Sequence, residues 1–262
     1  MPALRVRLLG GMDPRLDDEP LAPFDSARAE SLLAYLLLHR EAPQPRQRVA
    51  FLLWPDSTEP QALTNLRKVL HTLRRALPDL DRLMDVGPRN LQWRADVPLW
   101  LDVEHFERAL ADGRLEEAVE TYGGELLAGR YDEWLVEERE RLAGLDLEAL
   151  ERLARRLEEQ ERWPEAIRCA ERLAAQDPLR EASHRLLIGL CRAGEDRARA
   201  LRAYHVCATT LERELGIEPS PETRAIYESS SPPRRPAWAP RRTRAPAPHL
   251  VAGGRRSRRR RL

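Results

Sequence analysis

Leu63, Leu66, Leu70, Leu73 and Leu77 recur at steps of three and four along 54–77, WPDSTEPQALTNLRKVLHTLRRAL. That spacing gathers side chains onto one stripe of an α-helix. The opposite arc carries Arg67, Arg74, His71, Thr64, Arg75 and Lys68, with four formal positive charges and no acid. One face is built for a core and the other is basic and bare, an arrangement suited to a polyanion or, more plainly, to a solvated helix surface.

The flanking patterns place this helix in a larger unit. Leu4, Val6 and Leu8 alternate with Arg5 and Arg7, which predicts a strand. Gly10-Gly11 and Asp13-Pro14 mark a turn, and a second short strand is expected near 15–17. Ser26 is placed to cap a helix through SARAESLLAYLLLHR, whose leucine-rich centre belongs in a core. A short helix follows over 46–53. Pro60 lies in the first turn of the long helix, where its missing N–H does no harm, and Pro78 stops that helix. Two extended segments, 82–86 and 91–94, flank Gly87-Pro88-Arg89-Asn90, a hairpin signal with a basic tip. Strands, three helices and a hairpin make the layout of a winged helix, in which the third helix enters the major groove and the hairpin reaches along the backbone.

From Asp102 the periodicity is helical throughout, over 101–112, 114–122, 133–161, 165–175, 180–193, 197–215 and 221–228. Connectors are short, and Trp163-Pro164-Glu165-Ala166 and 196–215 align as degenerate tetratricopeptide-like units. From Ser229 the composition changes abruptly, with six prolines and eleven arginines before the end at Leu262. Such a segment cannot bury a core. The predicted fold class is mainly α. An N-terminal winged helix (α+β) occupies 1–100, an all-α tetratricopeptide-like helical domain 101–228, and a disordered C-terminal tail 229–262.

Charge sharpens this division. The formal net charge of the 262-residue chain is +1, composed of +1 over 1–100, −11 over 101–228 and +11 over 229–262. Nucleic acid is repelled by the middle segment, so a DNA site in the first segment must rest on local charge placement. Lys68 is the only lysine, a bias that a GC-rich genome produces and that carries no functional weight. Cys169, Cys191 and Cys207 sit apart in helical patterns, without a CxxC, as reduced buried thiols would. The six histidines show no metal-ligand spacing, and no Walker, serine-elbow, zincin or dinucleotide motif occurs. The sequence therefore predicts no enzyme, cofactor or metal site. Without a leader or an apolar run of membrane-spanning length, it predicts a cytoplasmic bacterial protein, nucleoid-associated when on DNA.

Several motifs in one order resemble a known family. They are LRVRLLGG, SLLAYLLLHR, RQRVAFLLWPD, ALTNLRKVLHTLRRAL, LDVEHFERAL, YGGELLAGRYDEWLVEERERL, and the run from DPLREASHRLL to GIEPSPETRAIYE. Together they cover about residues 3–228 and resemble regulators that join a response-regulator-type winged helix to a bacterial transcriptional activator domain, the antibiotic-regulatory-protein type. The resemblance implies a DNA-binding transcriptional regulator, usually an activator, with the helix holding Arg67 to Arg75 as its recognition helix. It implies a helical module for homodimerisation or partner contact, RNA polymerase being a typical partner. On that reading Thr64, Asn65, Arg67, Lys68, His71, Arg74 and Arg75 face double-stranded DNA. Asn65 or Arg67 is placed for base edges, and Arg74 and Arg75 for phosphate. Arg46 and Arg48, opening the preceding helix, and Arg89 and Asn90 at the hairpin tip are further contacts. Trp54, Trp93, Trp100 and Trp134 are expected to pack.

Two alternatives stand beside this reading. One is a helical protein-interaction scaffold with a vestigial DNA-binding domain. The other is a truncated or frameshifted piece of a larger ATPase-containing regulator, suggested by the acid-free tail and by Leu250-Val251, which resembles the start of an NTPase domain. Operator, target genes and effector are not written in the sequence.

Overall fold

A computed structural model describes residues 4–21, 24, 26–77 and 80–230. Strand β1 (Leu4–Arg7) is the centre of the first sheet, with Leu4 and Val6 fully buried and Arg5 and Arg7 exposed. It pairs antiparallel with β2 (Asp13–Leu16), which pairs in turn with β3 (Glu19–Pro20). The expected turn at Asp13-Pro14 is displaced. The chain reverses at Gly10 and Gly11, at φ +91° and +148°, and Pro14 stands in β2 opposite Val6. Asp17 and Asp18 make the next reversal with positive φ, which aspartate tolerates through its short polar side chain. The second strand thus lies at 13–16 instead of 15–17.

Helix α1 (Ala27–Leu38) is buried over Leu32–Leu37, as its composition predicts. Ser26 occupies the cap position, but only its carbonyl is engaged, by the N–H groups of Ala29 and Glu30. After β4 (Gln44–Pro45) come α2 (Arg46–Leu53) and the long α3 (Glu59–Ala76). The segment expected to be extended from residue 82 begins instead with a helical turn, α4 (Leu80–Leu83), and only β5 (Met84–Val86) is strand. Leu80 and Leu83 are buried, and their spacing of three suits a helical turn better than alternation. Strand β6 (Asn90–Trp93) completes the hairpin and also pairs with β4, so the second sheet runs β4-β6-β5.

A strand absent from the sequence reading, β7 (Leu99–Leu101), runs parallel to β1 and completes the first sheet as β3-β2-β1-β7. Helix α5 (Asp102–Ala111) starts from it without a connector. Then follow α6 (Leu115–Thr121), α7 (Leu135–Glu159), α8 (Trp163–Gln176), α9 (Glu181–Ala193), α10 (Arg197–Leu215) and α11 (Pro221–Ser230). Successive helices from α5 to α11 pack on one another, as stacked helical pairs do. Cys169, Cys191 and Cys207 are free and buried within this stack, and burial pushes the thiols of Cys191 and Cys207 up to about 11. They are therefore packing residues rather than nucleophiles. The remainder of the predicted disordered tail, 231–262, lies outside the described residues.

The winged-helix part and the helical stack share one apolar core, joined at a dense junction. The buried Asp102 carboxylate accepts the N–H groups of Leu8, Leu9 and Val103 at 2.9 Å. Burial raises its pKa against the opposing pull of those three donors. Leu8 and Gly10 exchange backbone hydrogen bonds with Leu127 and Glu125, and Leu9 bridges to Leu126. Glycine suits this crossing, because a Cβ on Gly10, whose φ is +91°, would stand 3.1 Å from the Gly123 carbonyl oxygen, and one on Gly123 3.0 Å from that of Leu9, both tight contacts. Arg139 fastens the same loop by donating to the carbonyls of Leu126, Leu127 and Arg130, each at 2.8 Å. From the loop, Arg130 and Asp132 pair with Glu30 and Arg28 of α1. Trp134 donates its indole N–H to Ser31 at 3.1 Å and packs edge-on against Tyr35. Trp93 is buried and Trp54 and Trp134 are half-buried against the core, so these tryptophans pack as expected. Trp100 is half-buried beneath the Arg5 guanidinium, 5.0 Å from its ring centre.

Candidate nucleic-acid interface

Helix α3 is set into the fold by Ala62, Leu66, Val69, Leu70 and Leu73, all buried against α1 and α2, with Leu77 closing the stripe. Leu63, read as part of that stripe, lies at its half-buried margin, while Ala62 and Val69 take core positions. The burial seam thus turns slightly from the leucine repeat. Fixing one face in this way fixes the other: Arg67, Lys68, His71, Arg74 and Arg75 are exposed together.

These exposed groups differ in how they are held. Among the described residues, Arg67, Lys68, His71 and Arg75 have no ion-pair or hydrogen-bond partner for their side chains. Arg74 does have one, since its guanidinium meets Asp81 Oδ1 at 3.0 Å. Thr64 and Asn65 are half-exposed and locally engaged: the Thr64 hydroxyl donates to the Pro60 carbonyl at 2.8 Å, and Asn65 Oδ1 accepts from Gln61 Nε2 at 3.1 Å. Both bonds lie within one helix and leave the Asn65 amide N–H groups free to donate.

The hairpin tip is fastened to the start of α2. The Arg46 N–H donates to the Arg89 carbonyl at 2.8 Å, and the Arg46 guanidinium donates to the Gly87 carbonyl at 3.3 Å. Arg46 is half-buried, so it braces the tip rather than standing free beside it. Burial is the larger cause holding its pKa below the usual arginine value, and the positive charges of Arg67 and Arg74 add to it. The positive charges of Arg67 and Arg74 on α3 are thus felt at Arg46, a repulsion that an anion relieves. Arg48, Arg89 and Asn90 are exposed around this cluster.

Sequence reasoning missed Asp81, because it falls between Pro78 and the strand expected over 82–86 and was assigned to no element. The helical spacing of Leu80 and Leu83 was the available signal. Among the described residues, no group of three or more His, Cys, Asp or Glu side chains is gathered to hold a metal, and no helix is long and apolar enough to cross a membrane.

A basic helix seated on a core, a fastened hairpin and a stack of paired helices define a class of regulator, and comparison with known proteins agrees. Residues 101–229 match the bacterial transcriptional activator domain, and the relatives that the chain resembles are transcriptional regulators. It is similar to the transcriptional regulatory protein MoaR1 of Mycobacterium bovis, at 26% identity over 244 residues, covering 86% of this chain and 78% of that one. It is 30% identical over 239 residues to the regulatory protein AfsR of Streptomyces coelicolor, where 86% of this chain spans only 24% of the relative. Among solved structures, Mycobacterium tuberculosis EmbR in complex with a low-affinity phosphopeptide superposes with a TM-score of 0.67 at 24% identity, over 88% of this chain and 65% of that one. That likeness establishes the shared fold.

Proposed function

We propose that this protein is a cytoplasmic transcriptional regulator that binds double-stranded DNA through α3 and the adjoining hairpin tip and activates transcription. The observation that carries the reading is the exposed face of Arg67, Lys68, His71 and Arg75, held by the buried side of α3 and left without acidic partners. A fixed array of basic side chains without acidic partners suits a phosphate backbone. Asn65 and Arg67, towards the N-terminal half of the helix, take the base-edge positions. Arg75 takes a phosphate, Arg48 and Arg89 flank it, and Asn90 lies at the wing. Residues 1–100 form the DNA-reading part and 101–228 the part for homodimerisation or contact with RNA polymerase. On DNA the protein is nucleoid-associated.

The test is fluorescence anisotropy with an operator selected from random duplexes, over a salt series. Arg67→Ala should relax the selected sequence at one position and weaken binding by about 1–3 kcal/mol. Arg75→Ala should weaken all sequences alike and lower the salt slope by about one unit. Unchanged binding in both variants removes α3 as the reader.

A further inference from the structure

We infer that Asp81 is an internal competitor for the DNA backbone: its carboxylate occupies Arg74 in the free protein, as a phosphate oxygen would in the complex, and so weakens the regulator's hold on DNA. The inference rests on the reading of α3 as the DNA-binding helix. Three observations carry it.

Arg74 stands in the last turn of α3, exposed beside Arg75, and its positive charge is felt at Arg46. Of the cations exposed on this face of α3, it alone is neutralised among the described residues. Its partner is not a chance neighbour on a loose loop. Asp81 lies on the turn α4, anchored by Leu80 and Leu83, which are 2% and 5% exposed. The buried pair turns Asp81 outward, where both nitrogens of the Arg74 fork, Nε and one Nη, meet one carboxylate oxygen at 3.3 and 3.0 Å.

Both partners remain accessible, with the Arg74 side chain 41% and that of Asp81 70% exposed. An exposed pair of this kind is screened by solvent and contributes little. It is therefore weak enough for a phosphate to displace, yet placed so that every complex must displace it. Displacement has two costs. Arg74 gives up its partner, and the freed carboxylate is left close to a phosphate of like charge. Any complex that engages Arg74 bears both, so the pair lowers affinity for operator and random DNA alike.

The experiment uses the full chain with Asp81→Asn, Arg74→Ala and the double variant, measured by anisotropy on a random duplex and on a selected operator between low and physiological salt. Asp81→Asn should bind the random duplex about fivefold more tightly at low salt. Its salt slope should be steeper by about one unit as Arg74 takes a phosphate. The gain on the operator should be of similar size, since both complexes displace the pair. In the Arg74→Ala background the same substitution should change binding by less than about twofold, because its target is gone. Weaker or unchanged binding by Asp81→Asn overturns the inference. So does a gain of equal size in the Arg74→Ala background, which would mark a general effect of net charge. Arg67→Ala separates the two levels of the reading. If it weakens binding while Asp81→Asn does nothing, α3 still reads DNA and only the competitor is lost. If neither matters, the assignment of α3 itself fails.

Discussion

The two ends of the folded unit use the same residue type, arginine, in opposite ways. In the helical stack, most arginines are matched to acids. Arg152 pairs with Glu148, Arg155 and Arg180 with Glu151, Arg141 with Glu107 and Glu138, and Arg199 grips Glu171 through two hydrogen bonds of 2.7 Å. On α3, Arg67, Lys68, His71 and Arg75 have no such partner among the described residues. The matched arginines hold a surface in place; the unmatched ones leave a field for something outside the chain to satisfy. Charge totals hide this difference, because 1–100 sums to +1 despite its basic face.

Reversing two unmatched charges, Arg67→Glu with Arg75→Glu, strains the comparison hardest. DNA affinity should fall at least about a hundredfold, since two contacts of ~1–3 kcal/mol each are replaced by repulsion. Anisotropy at constant salt measures it, and circular dichroism should show the helix content unchanged.

Next in size is the junction that holds the two parts together. Asp102→Ala strands three buried N–H donors and should cost about 3 kcal/mol or more of stability. The readout is a lower urea midpoint at unchanged slope. A loss below ~1 kcal/mol would show that the two parts do not depend on this carboxylate.

The matched side is tested by Arg152→Ala, which removes a surface pair of i,i+4 spacing. It should shift stability by less than ~0.5 kcal/mol and leave DNA binding within twofold, about what such pairs contribute. If this variant weakens DNA binding as much as Arg75→Ala does, the contrast between the two surfaces is wrong.

The smallest effect is on pH dependence. The Arg155 side chain, with Arg180 beside it, holds the Glu151 carboxyl below the usual glutamate value against the opposing pull of burial. A lowered acid contributes stability that is complete above the unfolded value near ~4.3 and is lost as pH falls through the folded value. Urea midpoints at neutral pH and below about pH 4 should therefore differ less in an Arg155→Ala, Arg180→Ala variant than in the unaltered chain.

The helices were the legible part of this fold because their signal is local. The leucine spacing of α3, the apolar run of α1 and the short connectors of the stack each lie within a few turns of chain. The basic face of α3 was legible for the same reason, since burial of one side dictates exposure of the other. What could not be read depends on distant partners. Strand β7 is three residues long and exists through its pairing with β1, some ninety positions away. Arg46, expected at phosphate, also donates to the Gly87 carbonyl at 3.3 Å, a proximity that no local pattern encodes. Gly10 reads as a turn residue, and nothing local shows that its backbone also runs close against that of Gly123.

That crossing bears on how the molecule can be cut and recombined. A DNA-reading cassette ended at Trp100 would leave β7 without Leu101, the N–H groups of Leu8 and Leu9 without their carboxylate, and Gly10 without the Glu125 carbonyl. The smallest portable piece therefore extends through the loop that ends at Trp134, well inside the region matched by the activator-domain family. A chimera that respects that seam inherits the orientation of its reader from the donor; one spliced at residue 100 has to rebuild the seam from unrelated surfaces.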